Sequence, residues 1–345
     1  MLSYSSHHSH DSVPADLKKF LSLKHQQFFH YTDSSSALNM LKRYNINDNK
    51  EAESLMKWKD TYLKLWATHF CYLNDSEELI SGLKSFLREF VKKRRTIITV
   101  PDRNLNKIKE KVESFIDSTH DKSCVRSMAY YPLSFCEDGN LLSQWKWYGK
   151  EGGVAIEYDL GRCMFSGDKM FDNRIPSEGF LYDISYKASE HEKIFSEYIR
   201  DRNTYWTVNK MCDRVAEEVC LLSLFMKNKS FEEEKESRLL FTITNPNEPK
   251  NLKPILCFRK KGNFVVPYIE TKIYIKPRAT APIRSITIGP SENQDLTFEL
   301  FFQYILAKFP SINNKNEGKI TEENGCTCIQ VHGIKLRRSK TPFRG

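Results

Sequence analysis

The sequence predicts an α+β protein with a split, largely antiparallel sheet and added helices. Apolar residues at helical spacing occupy early and late parts of the chain, and strand-like segments lie mainly between them. Helices and strands do not alternate regularly, which argues against a doubly wound nucleotide-binding fold. With 345 residues and 40% hydrophobic content, we expect one domain over residues 16–345 with helical insertions, after a disordered Ser- and His-rich tail over residues 1–15.

Three segments carry the helical pattern. Apolar residues recur every three or four positions in segments 79–90, 208–222 and 298–305, so one face of each helix is expected to pack against the core. Pro310 follows the third segment and predicts its end.

The strand-like segments are short and rich in β-branched and aromatic residues, and Gly152 and Gly153 precede the first of them. The predicted strands are 154–158, 180–186, 238–244, 264–266, 273–275 and 286–288.

Bulk composition limits the classes of function. A net charge of +9 predicts attraction to polyanions, and hence a nucleic acid partner. Purely apolar runs are only a few residues long, and even segment 220–226, which Ser223 interrupts, is far shorter than the roughly 20 residues of a membrane helix. Because the N-terminus also lacks a secretory signal and the nine cysteines are scattered, we expect a cytoplasmic protein with reduced thiols.

Several common enzyme signatures are absent from the sequence. It has no glycine-rich phosphate loop, no HExxH, no GxSxG and no paired CxxC. Cys326 and Cys328 stand alone, so they predict structural thiols rather than a zinc site. The candidates that remain are four polar clusters within aromatic sequence.

The first cluster is His30, Tyr31 and Thr32, followed by Asp33 and a Ser-rich helical pattern. A strand that ends here and leads into a helix would place polar side chains beside a helix N-terminus, where anionic groups bind. The alternative is that Asp33 or Ser34 only caps the helix and His30 is a core histidine.

The second and third clusters have structural explanations of their own. Residues 73–78 predict a capped helix start with acidic residues in its first turn. Ser134 on a strand, followed by an aromatic helix with Trp145 and Tyr148, could offer a hydroxyl and stacking faces to a planar ring. Ordinary core packing explains the same aromatic residues.

The fourth cluster is the charged segment 231–238, which runs into a strand. Glu234 and Glu236 are expected on one face with Lys235 opposite, and neighbouring carboxylates raise each other's proton affinity. A solvated turn, or an ion pair between Glu236 and Arg238, is the alternative.

Taken in order, these clusters resemble a known bacterial family. His-Tyr-Thr, Asn-Asp-x-Glu, Ser-Phe with Trp-x-x-Tyr, Gly-Val-Ala-Ile, Glu-Lys-Glu-x-Arg and a final Ser-Lys-Thr-Pro-Phe-Arg look like domain of unknown function 2971. The resemblance extends over about residues 28–344.

That motif order is in turn similar to ADP-ribosyltransferases, which implies a split-sheet cleft that binds NAD as substrate, without a metal. The resemblance assigns Glu236 as the catalytic carboxylate and Glu234 as its upstream partner. The NAD-binding positions that it implies are His30, Tyr31, Thr32, Ser134, Trp145, Tyr148 and Arg238. A carboxylate held at the ribose 2'-hydroxyl would stabilise the oxocarbenium character that develops when nicotinamide leaves.

The expected function is therefore NAD-dependent ADP-ribosyl transfer, as in a toxin or antiphage effector. A nucleic acid acceptor, RNA or DNA, follows from the basic charge, and an antitoxin protein is a further expected partner. Two alternatives remain open: a non-catalytic module that binds a nucleotide or polyanion, and a metal-dependent nuclease that uses the carboxylates of 232–236.

Overall fold

The structure, a computed structural model, describes most of the chain after residue 14. The described residues are 15–45, 50–51, 61–73, 78–97, 99–121, 130–148, 152–160, 163–165, 179–207, 211–242, 256–261, 264–275, 282–310, 318–323 and 326–342. The predicted tail lies outside them except for Ala15, which begins a short 3-10 helix, Ala15–Phe20. No helix in these ranges is both long and apolar enough to cross a bilayer.

Seven α-helices lie within the described ranges. They are α1 (Ser34–Met40), α2 (Glu78–Lys93), α3 (Asp102–Asp121), α4 (Leu142–Tyr148), α5 (Ala188–Arg202), α6 (Met211–Ser223) and α7 (Gln294–Lys308). The predicted helices 79–90 and 298–305 are confirmed as parts of α2 and α7, and 208–222 is confirmed from Met211 onward. Helix α7 stops two residues before Pro310, as the sequence predicts.

The strands form two sheets. They are β1 (Phe29–Thr32), β2 (Arg43–Asn45), β3 (Thr61–Thr68), β4 (Tyr130–Cys136), β5 (Val154–Tyr158), β6 (Cys163–Phe165), β7 (Gly179–Asp183), β8 (Glu236–Thr242), β9 (Leu256–Lys261), β10 (Phe264–Ile275), β11 (Ile283–Ile288), β12 (Ile320–Glu323), β13 (Cys326–Val331) and β14 (Ile334–Ser339). The predicted segments 264–266 and 273–275 are the two ends of the single strand β10.

The large sheet has nine strands in the order β12-β13-β14-β11-β5-β1-β4-β8-β7, and the small sheet has the order β2-β3-β10-β6 with β9 added to β10. Only β11 and β14 pair in parallel among the described strands. The predicted α+β class with a largely antiparallel sheet is therefore confirmed.

Two hydrophobic cores hold these layers together. Leu65 and Ile269 of the small sheet pack with Leu133 and Ile156 of the large sheet. On the other face of the large sheet, Leu240 packs within a core formed mainly by helices α2, α3, α5 and α6. Burial of this apolar surface from water is the main force that stabilises the layers.

The large sheet opens between β1 and β4. Strand β1 pairs with β5 at four successive positions but with β4 only at Phe29 and Cys136. Next to that pair, the His30 ring nitrogen Nδ1 lies 2.9 Å from the Ser134 carbonyl oxygen. A side chain therefore bonds to a backbone group that a regular ladder would engage, and His30 lies where the two strands diverge.

Candidate functional site

Glu234 and Glu236 belong to a buried ion cluster. Arg238 Nε and Nη2 donate to the two Glu236 carboxylate oxygens at 2.6 and 3.1 Å. Lys227 Nζ lies 2.8 Å from a carboxylate oxygen of both Glu234 and Glu236. The predicted proximity of the two glutamates is present, but a lysine bridges them and Arg238 neutralises Glu236.

Burial decides what this cluster can do. Glu236 is 2% exposed and Arg238 is 1% exposed. Burial raises the pKa of Glu236, but Arg238 and Lys227 outweigh that effect and hold the pKa well below its usual range. The Glu236 side chain is thus ionised and enclosed, and cations bind both of its carboxylate oxygens. A catalytic carboxylate, in contrast, must reach its substrate.

The sheet register separates His30 from this cluster. Cys136 is paired with Phe29 on one side and with Glu236 on the other, so these three side chains share one face of the sheet. Neighbouring residues of a strand point to opposite faces, which puts His30 and Thr32 on the face away from Glu236. The structure therefore does not bring His30 and the glutamate pair into one pocket.

Tyr31 and Trp145 form a small aromatic core. Their ring centroids are 4.8 Å apart in an edge-to-face arrangement, and Trp145 is 2% exposed. The Tyr31 hydroxyl donates to the Asp138 carbonyl and accepts from the Leu141 amide. These contacts fit the core-packing interpretation of both residues, while Tyr148, whose ring lies 6.4 Å from that of Tyr31, stays partly exposed.

Ser134 and Arg238 are neighbours across β4 and β8, on the face that Glu236 occupies. All three guanidinium nitrogens of Arg238 are hydrogen-bonded. Its Nη1 donates to the Leu224 carbonyl at 2.7 Å, and its other two nitrogens bind Glu236. The predicted NAD-binding positions are thus divided between two faces, and only His30, Ser134 and Tyr148 keep partial exposure.

The geometry fixes which nitrogen of His30 carries the proton. A carbonyl oxygen only accepts, so Nδ1–H donates to Ser134 and Nε2 is left as an acceptor. Burial, the largest effect, and the Arg259 guanidinium lower the pKa of His30 to about 4. His30 is therefore neutral near pH 7, and Nε2 has no hydrogen-bond partner among the described residues.

Arg259 of β9 approaches this histidine from the small sheet. Its Nη2 donates to the Thr68 hydroxyl at 2.8 Å, and its guanidinium lies 5.6 and 5.7 Å from the rings of Trp66 and Tyr268. Burial lowers the pKa of Arg259, and it interacts electrostatically with Tyr148 and Asp33. We call the region of His30, Arg259 and Trp66, between the two sheets, the His30–Arg259 cleft.

The cleft combines three kinds of recognition. His30 has a neutral acceptor for a hydroxyl, Arg259 has a cation for a phosphate, and Trp66 has an aromatic ring that suits a planar base. Sequence reasoning missed Arg259, because it lies in the segment Leu-Cys-Phe-Arg-Lys-Lys, which was not read as a strand. Leu256, Phe258 and Lys260 face outward and Cys257 and Arg259 inward, an alternation that the residue types of this segment do not indicate.

The pKa of His30 gives a pH prediction. Because its pKa in the folded state lies below the ordinary 6.5, the unfolded chain binds the proton first as the pH falls. Stability is unaffected above pH 6.5 and falls between pH 6.5 and 4, by at most about 3 kcal/mol in total. NMR titration of the His30 ring should give a midpoint near 4, and a midpoint near 6.5 would contradict this environment.

Comparison with known proteins gives one match. Residues 144–239 match the family described as protein of unknown function (DUF2971). The matched segment contains Trp145, Tyr148, Glu236 and Arg238. No curated protein and no solved structure matches the chain, so the resemblance to ADP-ribosyltransferases has no support from a relative or a structural neighbour.

Residues 74–77 of the second predicted cluster lie outside the described residues. Helix α2 begins at Glu78, directly after them. Within the described ranges, no group of three or more His, Cys, Asp and Glu side chains could hold a metal ion.

Proposed function

We propose that this protein binds NAD, or a nucleotide with the same ribose–diphosphate core, in the His30–Arg259 cleft. The observation that carries the proposal is a neutral imidazole with an unbonded Nε2 at the point where the large sheet opens, within the electrostatic influence of the partly exposed Arg259 guanidinium. A ribose hydroxyl and a phosphate are the groups that such a pair recognises.

Each part of the ligand has a matching group in the cleft. His30 Nε2 accepts a hydrogen bond from a ribose hydroxyl, which keeps the role that the family resemblance implied for this residue. Arg259 Nη1 has no hydrogen-bond partner among the described residues and is not enclosed, so it can donate to a diphosphate oxygen. The partly exposed Trp66 ring lies next to the Arg259 guanidinium, where a base bound beside the diphosphate would stack.

Binding without group transfer is the function that the geometry favours. Glu236 and Arg238 form an enclosed ion pair, as the binding-module alternative expected. In the cleft, Asp33 is occupied in capping α1, since its two oxygens accept from the Ser36 amide and hydroxyl at 2.8 and 2.6 Å. A transferase would need a different carboxylate at the ribose 2'-hydroxyl.

ADP-ribosyl transfer is the second candidate: His30 Nε2 would bind the ribose, but the catalytic carboxylate would have to come from a residue other than Glu236, which lies on the opposite face. The wider expectations go with this candidate: a nucleic acid acceptor, a toxin or defence role with an antitoxin, and a cytoplasmic location. The metal-dependent nuclease gains no support from the described residues.

Calorimetric titration with NAD, ADP-ribose, AMP and nicotinamide tests the binding proposal. We expect NAD and ADP-ribose to bind and nicotinamide alone not to bind. His30→Ala should weaken NAD binding at least about tenfold through loss of a buried hydrogen bond. His191→Ala is the matched control, because His191 also bonds to a backbone carbonyl, that of Ser185, but lies in the helical layer.

Two outcomes would contradict the proposal: no binding of NAD or ADP-ribose, or equal NAD affinity in wild type and His30→Ala. Incubation with labelled NAD and total RNA, DNA and lysate protein separates the two candidates. Label on any acceptor establishes transfer, and binding without label leaves the binding module.

A further inference from the structure

A second polar cavity lies on the other face of the large sheet. It has a volume of about 380 Å³, and Phe29, Asp138, Glu157, Lys335 and Arg337 contribute to its lining. Since Phe29 points away from the face of His30, this cavity is separate from the His30–Arg259 cleft.

Glu157 forms the polar floor of the cavity. The sheet register places it between Phe29 of β1 and Ser285 of β11, and it is 3% exposed. Ser285 Oγ donates to Glu157 Oε2 at 2.5 Å, and Arg337 Nη2 lies 3.4 Å from the same oxygen. The other oxygen, Oε1, has no hydrogen-bond partner among the described residues.

Oε1 is not enclosed, so it is open to the cavity and free to accept a hydrogen bond from a ligand. A donor from a ligand in the cavity would complete its hydrogen bonding. Asp138 gives a second acceptor at the rim: its Oδ1 accepts from the Asn140 amide at 2.9 Å, and its side chain is exposed. Together these carboxylates favour a ligand with an ammonium group.

A ligand with only positive charge would be repelled by Arg337, which also lines the cavity. Its guanidinium lies 5.7 Å from the Phe29 ring centroid and beside Glu157, with Nη1 free of partners within the described residues. Lys335 adds a second cation, although it is paired with Glu323 at 2.5 Å. The cavity therefore presents acceptors and an anion-binding guanidinium side by side.

We propose that this cavity binds a small zwitterion of the α-amino acid type. Its ammonium group donates to Glu157 Oε1 and Asp138, and its carboxylate accepts from Arg337. The site is independent of the nucleotide cleft, since it uses the opposite face of the sheet and none of the same residues.

The test is calorimetric titration of the full chain with each of the common L-amino acids. For any that binds, the amine without the carboxylate and the acid without the amine follow. We expect at least one amino acid to bind and both truncated forms to bind at least about tenfold more weakly. Failure of every amino acid, or equal binding of a truncated form, would overturn the proposal.

Variants locate the binding. Glu157→Gln should weaken it at least about tenfold, which corresponds to loss of one charge-assisted hydrogen bond, and leave NAD affinity unchanged. Asp138→Asn can still accept the hydrogen bond from the Asn140 amide, so this variant is expected to fold. It tests the binding site if Glu157→Gln fails to fold. Glu322→Gln, on the outward-facing side of β12, is the control. Wild-type amino acid affinity in Asp138→Asn and in any folded Glu157→Gln protein would overturn the assignment.

Discussion

Replacing Glu236 with Gln is expected to lower the free energy of unfolding by about 3–5 kcal/mol, because it leaves the charge of Arg238 buried without its carboxylate and Lys227 paired with Glu234 alone. Both cations are nearly enclosed, at 1% and 6% exposure. Urea unfolding followed by circular dichroism measures the change. If the free energy of unfolding depends on urea concentration with the same slope in both proteins, the substitution has changed stability alone.

Glu270→Gln is the matched control for this prediction. Glu270 pairs with Lys64 at 2.8 Å, but both side chains keep substantial exposure, so its loss should change stability by less than about 1 kcal/mol. If Glu236→Gln proved as stable as Glu270→Gln while abolishing a transfer reaction, Glu236 would be catalytic after all. Equal stability alone would contradict the structural role, and only together with loss of transfer would it restore the role implied by the ADP-ribosyltransferase resemblance.

The same cluster predicts acid sensitivity. Because the pKa of Glu236 is lower in the folded state than in the unfolded chain, its contribution is complete above the unfolded value of 4.5 and is lost as the pH falls below it. Wild type should therefore lose stability between pH 4.5 and acid unfolding more steeply than Glu236→Gln. Parallel pH profiles of the two proteins would contradict this account.

Local signals predicted the elements around His30 well. The alternation over 29–32 and the capping residue Asp33 are short-range features, and β1, α1 and the Asp33 cap at Ser36 all follow from them. The sequence does not predict which face of the sheet His30 occupies, because that depends on the pairing of Phe29 with Cys136. A shift of that register by one residue would have moved His30 to the face of Glu236.

The charged segment 231–238 shows a different limit. Its spacing predicted that Glu234 and Glu236 would be neighbours, but five charges in a row are typical of solvated turns. Their enclosure depends on Lys227, which follows α6, and on Tyr186, whose hydroxyl accepts from the Glu236 amide. Partners from distant segments decide whether such a run is a surface turn or a buried ion cluster.

Arg259 was inaccessible to sequence reasoning for the same reason. Its hydrogen bond to Thr68 connects β9 with β3 within the small sheet. Its influence on the pKa of His30 acts between the two sheets. Nothing local to Arg-Lys-Lys distinguishes the inward arginine from the lysines beside it. Only the register of β9 with β10, in which Arg259 is paired with Val266, makes the distinction.

Replacing Arg259 with Met is expected to weaken NAD binding about 100-fold, or roughly 2.8 kcal/mol, because the diphosphate would lose its cationic partner. Met keeps most of the aliphatic length that packs against Trp66 and Tyr268, so the change is mainly one of charge and hydrogen bonding. Calorimetric titration gives the affinity. The slope of affinity against salt concentration should also become shallower, since a charge–charge contact is removed.

Two controls separate this effect from damage to the small sheet. Lys260→Gln removes a cation from the next residue, which is exposed on the opposite face of β9, and should leave NAD affinity nearly unchanged. Thr68→Val removes the hydroxyl that accepts the hydrogen bond from Arg259 but keeps the guanidinium. This variant therefore tests the positioning of Arg259 without loss of its charge. If Arg259→Met bound NAD as tightly as Lys260→Gln, the His30–Arg259 cleft could not be the nucleotide site, because its guanidinium would contribute nothing to binding a doubly charged diphosphate.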